Sequence, residues 1–253
     1  MLTRRSGSFS FDAPDSPGQT KRKLLMMAHH HFEMIKAVRE GNLHQVRKIN
    51  EESPKAYLTE DTLGCTAIFV ACSAGHHEIV EYLLSLGGND ILASDINGYN
   101  PLHAASSHRH MKVVEILLRE GFSSPDQIDR VGSQGLTAFF VASIFGNLEI
   151  AQVLLRAGAN INASNMDGNT ALMVACKVGK GDTVKFLLEE GADPNLENNE
   201  GIRALDHAKS SEGRTKNISK YLIDSGYLLN HSSLNDSNFG IEGPMEDCVS
   251  RRT

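Results

Sequence analysis

Cysteine is scarce in this 253-residue chain, and its four copies, at 65, 72, 176 and 248, stand singly. That offers no disulfide framework and points to a reduced, intracellular protein, cytoplasmic with the nucleus open. Long apolar runs are missing as well. None approaches the roughly 18–20 residues that cross a bilayer, and Leu24-Leu25-Met26-Met27-Ala28 is too short and too close to Lys21-Arg22-Lys23 for a signal core. Positive charge is in deficit, with 25 Lys and Arg against 31 Asp and Glu and a formal net charge of −6. Nucleic acid needs a basic face, so it is excluded as a partner. Nor is there a Gly-x-Ser-x-Gly turn that would expose a nucleophile.

What the chain does have is a recurring string. Gly64-Cys65-Thr66-Ala67 returns as Gly98-Tyr99-Asn100-Pro101, Gly135-Leu136-Thr137-Ala138, Gly168-Asn169-Thr170-Ala171 and Gly201-Ile202-Arg203-Ala204, with glycine steps of 34, 37, 33 and 33 residues. A period in that range marks a stack of like supersecondary units. In the clearest copy, Asp95-Ile96-Asn97-Gly98 is a turn in which Asp bonds the backbone ahead of it and Gly accepts positive φ. Asn100 caps a short helix with Pro101 at its first position. A second helix follows, with Val113, Val114, Ile116, Leu117 and Leu118 on its buried stripe. One unit cannot bury both its helices, so neighbours must stack.

The segments Asn100-Pro101-Leu102-His103-Ala104-Ala105 and Gly158-Ala159-Asn160-Ile161-Asn162-Ala163 resemble the ankyrin repeat, a β-turn plus two antiparallel helices. The resemblance covers residues 30–228 and implies an all-α repeat solenoid: a curved stack of about six helix-turn-helix units with hairpin-like fingers. Residues 32–49 read as a degenerate first unit, and the last unit is also cap-like. Only His103 fills the family's histidine position; Phe69, Phe140, Met173 and Asp206 stand there in the other copies. The 37-residue step predicts a longer finger around residues 123–133. The array is expected at 30–229 with net charge −7, between disordered tails at 1–29, basic and rich in Ser and Pro at net +3, and 230–253 at net −2.

Three apparent chemical motifs lose their force once placed in register. Gly179-Lys180-Gly181-Asp182-Thr183 imitates part of a phosphate loop but falls on the same inter-helix turn as Gly75-His76-His77-Glu78. His29 to His31, His76, His77, His108 and His110 lack the converging spacing of a metal site, and His76 and His110 are repeat-equivalent. Cys72 and Cys176 share one small-residue position of the first helix, a packing role. No catalytic residue, metal or cofactor is expected.

The resemblance implies that a protein partner binds on a concave face of fingers and first helices. Carried over position by position, and weighted to the apolar ones, the contacts are Ile96, Tyr99, His108, Leu136, Ile144, Phe145, Met166 and Val178. Exposed apolar patches tend to be binding sites. The alternative is that Ile144 and Phe145 fold inward beneath the 123–133 finger. Ser8, preceded by Arg4 and Arg5, and Ser16, followed by Pro17, resemble phosphorylation sites in a tail whose charge phosphate would reverse. Asn162 and Asn195 occupy a position that in this family can be hydroxylated, although turn geometry is the preferred reading. The resulting expectation is a non-catalytic, monomeric interaction module: an adaptor, targeting or inhibitory subunit. The alternatives are a recruitment subunit of a modifying enzyme complex, or a peripheral membrane scaffold anchored through residues 21–28.

Overall fold

The computed structural model describes residues 29–58, 60–87, 91–122, 124–210 and 216–224. Six helix pairs follow one another: α1 (29–39) with α2 (Leu43–Glu52), α3 (Ala67–Ala74) with α4 (His77–Ser85), and α5 (Pro101–Ser107) with α6 (Met111–Glu120). After a single-turn helix, α7 (Pro125–Ile128), come α8 (Ala138–Phe145) with α9 (Leu148–Arg156), α10 (Ala171–Val178) with α11 (Gly181–Glu189), and α12 (Ala204–Ser210) with α13 (Lys216–Asp224). Among the described residues there are helices and two isolated bridges, Glu60 with Thr66 and Ser164 with Thr170.

The first helix of each central unit starts at a polar cap. Thr66, Asn100, Thr137 and Thr170 accept the backbone N–H three residues on, at 3.3, 3.1, 3.1 and 3.4 Å. That satisfies one of the donors a helix start leaves orphaned. Arg203 has no such acceptor; in its unit Asp206 Oδ2 accepts from Arg203 N at 3.1 Å instead. The first helices end at a left-handed residue, glycine at 75, 146 and 179 but Arg109 after α5, with φ of 64°.

Two columns of side chains make the core. Ala71, Ala105, Ala142, Ala175 and Ala208 repeat on the first helices, where a methyl group permits close helix approach, and all are buried. Leu83, Leu117, Leu154, Leu187 and Leu222 repeat on the second helices, each fully buried. Phe140 and Met173 are also buried, so at two of the units that lack the family histidine an apolar side chain packs in its place, and Met173 Sδ still accepts from Thr170 N at 3.5 Å. Cys72 and Cys176 lie in one column with Ser106 and Ser143, all with no exposed surface. Burial pushes the Cys176 thiol up to about 12, and Cys72 higher still, so both act as small apolar packers.

The extra residues of the 37-residue step do not lengthen the finger. Every finger is closed by the same backbone bond, from residue 61 to 65, 95 to 99, 132 to 136, 165 to 169 and 198 to 202, at 2.9–3.1 Å. The surplus is spent earlier, on α7. Ser124 and Pro125 start its turn, with Ser124 N donating to Gln127 Oε1 at 3.3 Å, and Phe122 and Ile128 carry it into the core. Asp129 then accepts from Asn160 N at 3.0 and 3.1 Å, which ties α7 to the loop after α9. The longer finger expected around residues 123–133 is therefore corrected, because the apolar pair Phe122 and Ile128 gains more from burial than from standing in solvent.

Candidate functional site

Four of the five finger tips are Asx turns. Asp61, Asp95, Asn165 and Asn198 each accept two backbone N–H groups, two and four residues ahead, through one oxygen at 2.8–3.0 Å. Successive tips then join by single backbone bonds: Ile96 N to Leu63 O, Ser133 N to Asn97 O, Met166 N to Gln134 O and Asn199 N to Asp167 O, at 2.6–3.0 Å. Five fingers thus form one ladder that carries their outward side chains in a row.

A second set of links holds the first helices in register. The residue opening α4, α6, α9 and α11 reaches back to the carbonyls that end the first helix of the preceding unit. His76 Nε2 meets Arg39 O at 3.3 Å, His110 Nε2 meets Ser73 O at 3.0 Å, and Asn147 Nδ2 donates to Ser106 O at 2.7 Å and Ser107 O at 3.1 Å. Lys180 Nζ donates to Ile144 O in the same way. Two of the histidines that imitated metal ligands, His76 and His110, and the lysine that imitated a phosphate loop are thus spent on backbone carbonyls, which have no intrahelical partner at a helix end.

Between the fingers and first helices lies a cleft of about 480 Å³ centred on α5 and flanked by α3 and α8. Of the eight residues expected on this face, Tyr99, His108, Leu136, Ile144 and Phe145 line it. Ile144 is half-buried against the core, while Phe145 is 60% exposed. Ile96, Met166 and Val178 are exposed but stand outside the cleft. The cleft therefore extends toward α3, through Phe69, rather than toward α10.

Two residues that sequence reasoning left out shape this cleft. His103 forms part of its wall and is held by Leu136, whose carbonyl accepts from Nε2 at 2.9 Å; burial lowers its pKa and keeps the ring neutral. Gly132 stands where the other fingers have Asp or Asn. A Cβ there would lie 2.4 Å from Tyr99 Cδ1, so only glycine lets the Tyr99 ring lie against the next finger, where its hydroxyl accepts from Ser133 Oγ at 3.1 Å. The signal was present in the sequence as the single missing Asx residue three before a repeat glycine.

Of the remaining expected sites, Asn162 Oδ1 accepts from Asp193 N at 3.0 Å, and Asp193 Oδ1 accepts from Asn195 N at 2.8 Å, so both asparagines sit in inter-repeat turns. Ser8, Ser16 and most of both tails lie outside the described residues.

Phased fingers, capped first helices and stacked alanine and leucine columns define a helical repeat solenoid. The chain belongs to the ankyrin repeat family: the profile described as ankyrin repeats (3 copies) matches residues 34–129, 94–165, 121–198 and 139–233. Among curated relatives, the tyrosine-protein kinase HTK16 of Hydra vulgaris is 32% identical over 105 residues, 42% of this chain and 14% of that protein. Ankyrin repeat and SOCS box protein 3 of Bos taurus is 34% identical over 103 residues, 41% of this chain and 19% of that one. The human transient receptor potential cation channel subfamily A member 1 is 32% identical over 133 residues, 52% of this chain and 12% of the channel. The likeness thus spans less than a fifth of each relative's length. Among solved structures, a chain from the complex of the Bdellovibrio bacteriovorus predatory endopeptidase Bd0816 with immunity protein Bd3460 superposes with a TM-score of 0.67 at 28% identity, covering 76% of this chain and 97% of that one.

Proposed function

We propose that this chain is a non-catalytic interaction module whose face of fingers and first helices holds a protein partner, as an adaptor, targeting or inhibitory subunit. Ankyrin repeats generally mediate protein–protein interaction, and the relatives named above are as different as a kinase and a channel. The observation that carries the reading is Phe145: a large aromatic side chain, 60% exposed, at the rim of an apolar cleft that no element of the chain covers among the described residues. A solvated aromatic at such a rim is the composition of an interface anchor. The solved neighbour comes from a two-protein complex, in keeping with an inhibitory or partner-holding role.

Affinity capture with the wild-type chain beside Phe145→Ala tests it. The variant is expected to lose the specifically retained protein while its thermal midpoint moves by no more than about 2 °C, since surface truncations cost about 0.5 kcal/mol or less. Equal capture by both proteins would overturn the reading, as would a large fall in midpoint with capture unchanged.

A further inference from the structure

We infer that the cleft centred on α5 receives a lysine or arginine side chain of the partner, its methylene stem against Tyr99, Leu136 and Phe145 and its charged head at Asp95. The inference rests on the interface reading above and adds the chemistry of what is bound.

Asp95 is the sole carboxylate lining the cleft, and no Lys or Arg lines it. Its Oδ1 is fixed by Asn97 N and Tyr99 N, both at 2.9 Å. Oδ2 has only a long contact, 3.4 Å to Asn97 Nδ2. The finger turn needs one oxygen and no charge, because Asn165 and Asn198 perform it with an amide. Asp95 therefore holds a negative charge that the turn does not use, in the lining of an apolar cleft, and it makes no ion pair among the described residues. The neighbouring His103 is kept neutral by burial and does not offset that charge.

A purely apolar residue would fill the walls and leave the carboxylate partly desolvated without a partner, which costs free energy. An acidic residue would be repelled. A long basic side chain meets both demands, because its stem packs on apolar surface while its head pairs with a carboxylate and lies against aromatic faces. The volume of about 480 Å³ also leaves space for an apolar neighbour in the same peptide.

The test presents the full chain with a positional-scanning library of nine-residue synthetic peptides. Selected peptides are expected to carry Lys or Arg within two positions of Phe, Leu or Met. Asp95→Asn preserves the finger turn, as Asn165 and Asn198 do, and should weaken a selected peptide about tenfold. The same peptide with its basic residue changed to Gln should bind wild type and Asp95→Asn alike. Selection without basic residues, or equal affinity of wild type and Asp95→Asn for the basic peptide, would overturn the inference. Phe145→Ala separates the two levels. If it abolishes peptide binding while Asp95→Asn has no effect, the interface stands and the cationic ligand falls; if it has no effect, the interface reading itself falls.

Discussion

Replacing Asn147 with alanine removes the most buried of the four links between first helices, and its cost can be worked from the geometry. The side chain is 3% exposed, and its amide donates to two carbonyls at 2.7 and 3.1 Å. Both carbonyls end α5, where no intrahelical donor exists to replace the lost one. A buried hydrogen bond contributes about 0.5–1.5 kcal/mol net, so two of them make a loss of about 2 kcal/mol. In an array of this size that corresponds to a fall of about 4–8 °C in thermal midpoint. Because a repeat stack is stabilised by its own units and their neighbour interfaces, weakening this one should also loosen the coupling between the α1–α6 and α8–α13 blocks. Urea titration followed by far-ultraviolet circular dichroism would show a lower midpoint and a broader transition. His76→Ala is the internal comparison, since it removes one longer contact of 3.3 Å from a more exposed side chain and should cost about 0.5 kcal/mol or less. Asn147→His should recover part of the loss, because His76 and His110 make the same link. If Asn147→Ala were no more destabilising than His76→Ala, the account of these links as inter-unit ties would be refuted.

Two further predictions concern pH and backbone strain. Burial lowers the pKa of His103, His110 and His207, so the unfolded chain takes up protons before the folded one does. Stability should hold from pH 8 to 7 and decline as pH falls below the ordinary histidine value of about 6.5, with a shallower decline in His103→Gln; a midpoint flat from pH 7.5 to 5.5 would contradict this. Arg109 takes a φ of 64° at the position where α3, α8 and α10 end in glycine. The strain of about 1–2 kcal/mol exceeds the extra chain entropy of glycine, so Arg109→Gly should raise the midpoint by about 1–3 °C, and a lowered midpoint on differential scanning calorimetry would count against it.

The repeat period was legible in the chain because each glycine of the finger marks a φ that other residues avoid, and because apolar residues return at helical spacing. Register alone also removed the false motifs: Lys180 and His110 fall on equivalent turns, and the structure shows both bound to the preceding helix end. The candidate contacts were legible as positions but not as a surface. Tyr99, Leu136, Ile144 and Phe145 converge on one cleft, whereas Val178, the counterpart of Phe145 one unit along, and Met166, the counterpart of Ile96, do not line it. Their divergence depends on which neighbouring side chains are large, as Phe69 is, and which are absent, as at Gly132.

The sequence by itself determined the architecture, since period, turn residues and helix caps are local and each is written in a few consecutive residues. Tertiary structure alone decided where the surplus residues of the 37-residue step went and which charge is left unspent. Whether Phe122 and Ile128 bury a helical turn or lengthen a finger depends on the space beside α9. Whether Asp95 is merely a turn residue or also a free carboxylate depends on what stands opposite it, across a cleft whose walls come from residues 69 to 145.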